Sequence, residues 1–457
     1  MTSSQNTVET AMGAIRGSLM VRLFVVGFLA LVLLIPIVMI GGLVGERHVR
    51  RDTAVTEVSE KWGRAQAIAG PALVVPYKHH WEDSDPNGRR VSHSEARHAV
   101  MLPDRLHVRG RLEAEVRSRG IFSIPVYRAD LTLQGEFTRP RFEDLGIDPA
   151  TMEWSRAQLV VGISDARAIK NLAAVTWNGR QTSFLPGVGE FTALQTGIHA
   201  PVDVAGPADR YEFTLPLALN GSIGLSLVPF GARTLVEFSS NSENPSFQGA
   251  WLPERREVSS TGFSATWEIS FLGRNYPQSW SSRDDMKAPI VASQFGVDLV
   301  TPVDQYRMAE RSVKFAALFI LLTFAAVWLI EVLAGVNVHP IQYLLLGSAL
   351  CVFYLLELSL AEHVGFPVAY TIAAVAVVLM VGSYSLVVLG RRWWAFGIAL
   401  GVALLYGYLY VLLMNEDYAL LIGSLGLFMI LAGVMFVTRK VDWYTIGNRS
   451  LSRSNPK

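Results

Sequence analysis

Cysteine is almost absent: the 457-residue chain holds one, Cys351. A disulfide-stapled scaffold is thereby excluded, and any polar domain must be held by its own core. Charge is scarce too, with Asp, Glu, Lys and Arg at 17% of residues against about 25% in average soluble proteins. The net charge of +1 gives no global basic field, so no nucleic-acid partner is expected. Catalytic motifs are missing as well: no Ser-x-x-Lys, His-Glu-x-x-His or phosphate loop occurs. Gly162-Ile163-Ser164-Asp165-Ala166 approaches a nucleophile elbow but lacks its last glycine. No catalytic residue, cofactor or metal is therefore expected, and the chain reads as a non-enzyme.

What is abundant is apolar sequence. A membrane-spanning helix needs about 20 apolar residues, and residues 315–437 hold five such runs: 315–333, 341–360, 366–389, 393–413 and 418–437. A sixth, 23–44, follows a polar start carrying Arg16 and Arg22. It is longer than a signal-peptide core and lacks a clear Ala-x-Ala site, so it reads as an uncleaved signal anchor, kinked at Pro36.

Residues 45–311 are polar and patterned with period two. Leu106, Val108, Leu112, Ala114 and Val116 alternate with polar residues, as do Tyr211, Phe213, Leu215, Leu217 and Leu219, and Phe263, Ala265, Trp267, Ile269 and Phe271. Such alternation marks half-buried antiparallel strands. Asn178-Gly179 and Asn220-Gly221 read as hairpin turns, and a helix is expected only near residues 49–69. The fold class is an integral membrane α-helical protein of six spans with a large, mainly antiparallel β domain, in one or two subdomains. Short-loop charge sets its orientation. Arg391, Arg392, Arg439 and Lys440 mark the cytoplasmic side, while Glu362, His363, Glu416 and Asp417 lie in the alternate loops. Both termini (1–22 and 438–457) are then cytoplasmic and the β domain periplasmic. Arg47, Arg50 and Arg51 beside the outer end of the first span run against this rule, and the short loops outweigh them.

Four groups of residues carry candidate chemistry. His79, His80, His93, His98 and His107 lie near Glu82, Asp83, Asp85 and Glu95, but at no known zinc spacing, and residues 78–97 read as a solvated hairpin loop. Within the membrane, Glu331 and Glu357 are costly unless they face protein or water. Glu357 shares a helical face with Tyr343, Gly347, Leu350, Tyr354 and Ala361. These two acids, with Glu362 and His363, form the expected polar site. It is either a proton or ligand site or a set of hydrogen bonds between helices, and Glu357 is expected to tie the helices to the β domain. Gly397 and Gly401 would allow close helix approach or dimerisation. Trp393, Trp394, Trp443 and Tyr444 would anchor at interfaces.

Several stretches together resemble the CreD family of bacterial inner-membrane proteins. They are AGPALVVPY (69–77), RGIFSIPVYRADL (119–131), GISDARAI (162–169), PSFQGAWLPERREV (245–258), TPVDQYRMAERSVKFAALFI (301–320), HPIQYLLLG (339–347), FYLLELSLAEHVGF (353–366), NEDYALL (415–421) and TRKVDWY (438–444). One departure is at Ser242, Glu243 and Asn244, where the family usually carries Trp-Pro-His. The resemblance implies an inner-membrane protein linked to envelope integrity, colicin tolerance and two-component control. It implies no enzyme activity, substrate or binding residue. The expected function is thus support of the envelope through a periplasmic domain that binds a protein or envelope component. The lipid bilayer is the other partner, and self-association is allowed. A transporter or channel subunit built from the helical block is the alternative.

Overall fold

The computed structural model describes residues 19–439, apart from 85–89, 172–173, 190, 192–195, 207, 300–304 and 335–337. The chain forms two compact units: residues 1–51 with 303–457, and Asp52–Pro302. The second unit lies inside the 45–311 expected for the β domain. The polar start, the tail beyond Arg439 with Trp443 and Tyr444, and Pro86-Asn87-Gly88 lie outside the described residues.

The helical unit begins with α1 (Leu19–Val32) and α2 (Leu34–Trp62). Pro36 cannot donate a hydrogen bond to the carbonyl four residues back, Val32. The helix is interrupted at Leu33, so the expected kink falls three residues before the proline. The remaining helices are α3 (Gln305–Lys314), α4 (Ala316–Ala334), α5 (Pro340–Val364), α6 (Phe366–Leu389), α7 (Arg392–Met414) and α8 (Ala419–Thr438). Among the described residues five helices, counting Val21–Trp62 as one, are long and apolar enough to cross a membrane. The α3–α4 pair, bent by 43°, makes a sixth if it forms one span. The core of this unit is aromatic: the rings of Phe353 and Tyr406 lie 4.3 Å apart, and Phe324 meets Tyr343 edge-on at 5.5 Å. None of the residues of α8 is buried.

The β unit consists of a nine-stranded and an eight-stranded sheet. The first is built around Gln66–Ser84, which pairs with Arg90–Met101 and Gln158–Ile163. The second is built around Arg105–Arg119, Phe122–Thr138 and Arg210–Ser222. One core takes side chains from both, including Leu73, Val75 and Val161 from the first and Leu133, Leu215 and Trp267 from the second. The period-two pattern places these residues: Leu106, Val108, Phe213, Leu217 and Ile269 are all buried. Val116, at the far end of its strand, is exposed.

Most strand pairings among the described residues are antiparallel, and each sheet adds one parallel pairing, of Gln66–Ile68 with Leu225–Leu227 and of Arg105–Leu112 with Arg233–Ser240, so the sheets are mixed. Three expectations are corrected here. The helix near 49–69 stops at Trp62, because Gly63 adopts φ +146° and a Cβ there would meet the Asn220 carbonyl at 2.7 Å; Gln66 already begins a strand. Residues 78–84 and 90–97 form an exposed hairpin, as expected, but as a two-stranded ribbon in full register from Lys78–Ala96 to Ser84–Arg90 and not as a loop. Asn220-Gly221 is no turn: both residues continue a strand, opposite Arg128 and Tyr127. The glycine is there because the Tyr127 ring lies over it. Asn178-Gly179 does form the expected hairpin turn, with φ of 44° and 77° between Ala174–Trp177 and Arg180–Ser183.

The end of α2 packs on the second sheet through Ala54, Val58 and Trp62 against Ile124 and Val126. The Arg117 guanidinium stacks on Trp62 at 3.7 Å. In the same unit, buried Asp165 accepts two bonds from Arg167, at 2.9 and 3.2 Å, and one from the Arg64 amide at 3.4 Å. The Arg167 hydrogen bonds hold the Asp165 carboxyl below its ordinary value. A depressed carboxyl stabilises the fold above its unfolded value, near 3.9, and that contribution is lost as pH falls through the folded value. Asp165→Asn is therefore expected to cost about 1–2 kcal/mol at neutral pH. The difference from the parent should shrink in acid-denaturation curves below about pH 4.

Candidate functional site

The polar residues of the helical unit are organised by α5. A capping box at His339 starts this helix: the His339 Nδ1 accepts from the Ile341 amide at 3.3 Å, and the Gln342 side chain accepts from the His339 amide at 2.8 Å. Tyr343, Gly347, Leu350, Tyr354, Glu357 and Ala361 are all buried, so the expected face is the packed face.

Glu331, at the end of α4, closes a clasp of three chain segments. Its Oε1 accepts from Arg22 Nη1 at 2.8 Å and from the Val338 amide at 3.3 Å. Its Oε2 accepts from the Tyr343 hydroxyl at 2.8 Å. The residue is 6% exposed, and both oxygens are satisfied.

Glu357 is different. It is 1% exposed, and its Oε2 accepts from Ser312 Oγ at 2.8 Å. Oε1 has no hydrogen-bond partner among the described residues, and neither has the buried hydroxyl of Tyr354, one turn earlier on the same helix. Ser312 lies on α3, in the same unit as Glu357. The bond thus joins two helices of one unit, where a tie to the β domain was expected.

Glu362 accepts from the Tyr306 hydroxyl at 3.1 Å and lies 3.7 Å from Arg47 Nε. His363 points elsewhere: it is exposed, and its Nδ1 bonds the Ser359 carbonyl at 3.0 Å. Glu416, also exposed, sits 3.3 Å from Arg311 and 3.6 Å from Arg307. Tyr343 and Glu362 are separated by about 28 Å at roughly 1.5 Å of rise per residue. The four expected site residues therefore fall into separate groups: Glu331 in a clasp at one end of α5, the buried Glu357 in its last third, Glu362 held by Tyr306 and Arg47 near the other end, and His363 exposed and apart from it. Sequence periodicity found the Glu357 face. It could not find Arg22 or Ser312, whose partners lie 309 and 45 residues away.

Other candidates resolve into structure. Ser164 Oγ donates to the Ala65 carbonyl and accepts from the Ala67 amide, both at 2.9 Å, so it is committed to backbone. Among the described residues no group of three or more His, Cys, Asp or Glu is arranged to hold a metal ion. His107 bonds Glu237 on the second sheet, whereas His79 and His93 flank Trp81 on the ribbon. A Cβ at Gly397 or Gly401 would meet nothing within 4 Å. These glycines border an apolar groove of about 550 Å³ along α4, α7 and α8, and do not bring two helices of this chain together.

The family model described as inner membrane protein CreD matches residues 18–444. The chain belongs to the CreD family. It is 35% identical over 416 residues to the inner membrane protein CreD of Escherichia coli (strain K12), covering 91% of each chain. CreD proteins are thus the inner-membrane family in which these apolar helices are to be understood. The match takes in α1 through α8 and the whole β unit, so both units belong to the CreD pattern.

Proposed function

We propose that the protein supports cell-envelope integrity from the inner membrane, without catalysing a reaction. Its β unit acts as a periplasmic interaction module, and its helices form a multi-pass anchor with both termini in the cytoplasm. The observation that carries this reading is the division of labour between the units. The acids Glu331 and Glu362 are engaged within the helical unit, whereas the β unit has its own core and sends out an exposed ribbon. Arg391 and Arg392 in a short loop support the orientation.

Phosphatase fused at Gly135 should be active in cells, and phosphatase fused after Arg392 inactive; the reverse pattern removes the periplasmic assignment. A photo-reactive residue at Trp81 or Leu272, both exposed, should capture a discrete envelope component in growing cells. Capture of nothing at either position would end the interaction reading. One observation favours transport instead, the buried and half-satisfied carboxyl of Glu357. Tracer uptake into proteoliposomes that Glu357→Gln abolishes would put that reading first.

A further inference from the structure

The ribbon formed by residues 78–84 and 90–97 rises beside a polar cleft of about 550 Å³, within the roughly 300–1,000 Å³ of small-ligand sites. Most such sites are lined mainly by apolar side chains; this one is lined by Lys78, His79, Arg97, Thr151, Ser281 and Arg283 among others. The two carboxylates in the lining are engaged locally. Asp148 accepts from the Ala150 amide at 2.9 Å, and Asp284 accepts from the Ser281 amide at 3.2 Å. The cations are unevenly occupied. Arg97 pairs with Glu95 at 2.6 Å, and Lys78 lies 3.9 Å from Glu153. The exposed Arg283 guanidinium forms no ion pair among the described residues. His79, Arg97 and Arg283 line the same cleft, and partial desolvation, then the charges of Arg97 and Arg283, hold the His79 imidazole below its ordinary value.

A second feature adjoins the cleft. Strand register puts His79, Trp81, His93 and Glu95 on one face of the ribbon. The rings of His79, Trp81 and His93 form a row with spacings of 5.7 and 5.2 Å and interplanar angles of 22° and 20°. Trp81 keeps 40% of its surface exposed. A row of rings leading into a polar cleft of three cationic and two acidic side chains, in which Arg283 is the cation without a carboxylate partner among the described residues, suits a ligand with apolar C–H edges, many hydroxyls and one negative charge to meet that guanidinium. We propose that this cleft and the aromatic row bind an acidic saccharide. The inference rests on the β unit being an envelope-binding module, and names the chemistry that module recognises.

The full chain in nanodiscs is titrated by calorimetry with a soluble muropeptide bearing free carboxylates, a neutral chito-oligosaccharide and a poly-glutamate peptide. The muropeptide should bind about tenfold more tightly than the neutral sugar, the difference expected of one charge-assisted contact. Arg283→Gln and Trp81→Ala, both at exposed positions, should each weaken it about tenfold without changing the melting temperature. If Trp81→Ala does not fold, Arg283→Gln decides alone. Equal binding of the neutral sugar, unchanged binding by Arg283→Gln, or tighter binding of poly-glutamate would overturn the proposal. Failure here with photo-capture of a protein at Leu272 intact leaves the interaction module standing without the saccharide; failure of both removes the module itself.

Discussion

Glu331→Leu should lower the stability of the detergent-solubilised protein by about 3 kcal/mol, because it strips the acceptor from a charge and a hydroxyl at once. Arg22 Nη1 and the Tyr343 hydroxyl both donate to this carboxylate at 2.8 Å, and the Val338 amide joins them at 3.3 Å. Breaking a buried pair typically costs about 3–5 kcal/mol. The lower end applies here because the Arg22 side chain is 37% exposed. Tyr343→Phe should cost about 1 kcal/mol, since it removes one bond and leaves the carboxylate its other donors. The decisive comparison is the double variant Arg22→Leu with Glu331→Leu. It removes both charges, so it should recover part of the loss. Unfolding in mixed micelles measures these variants together with Arg22→Leu alone, which completes the cycle. Additive losses in the double variant would mean that the arginine and the glutamate do not act as a pair.

Gly221→Ala should destabilise the β unit by about 3 kcal/mol, the upper part of the usual range for overpacking. A Cβ at this position would lie 2.2 Å from the Tyr127 hydroxyl oxygen and 2.3 Å from its ring carbon. The ring cannot simply swing aside. It is fully buried, and its hydroxyl donates to the Gly224 carbonyl at 2.7 Å. Gly206→Ala is the control, because a Cβ there meets nothing within 4 Å. Denaturant curves should separate the two variants clearly; equal midpoints would show that the Tyr127 seat tolerates a methyl group.

The apolar helices were legible in the sequence, since runs of that length and apolarity are continuous along the chain, and the apolar run at residues 366–389 coincides with α6 (Phe366–Leu389). Asn178-Gly179 was legible as a turn because its requirement, positive φ at both residues, is local. Asn220-Gly221 carries the same dipeptide for another reason: close approach by an aromatic ring from the neighbouring strand. No local pattern distinguishes those two uses of glycine. The parallel pairing of Gln66–Ile68 with Leu225–Leu227 was hidden for a related reason, since period two fixes a strand's face but not its neighbour. The candidate acids followed the same division. Helical spacing put Glu357 on the packed face, while its Ser312 partner depends on how α3 meets α5.

The solitary cysteine acquires a use from its place in the fold. Cys351 is 4% exposed, and its thiol lies 3.9 Å from the carbonyl of Leu33, where the first helix is interrupted. A thiol reagent can reach it only when the bundle opens at that seam. With no second cysteine in the chain to react, the native protein carries its own reporter. The rate of alkylation would record, without any engineered label, how often the two helices part.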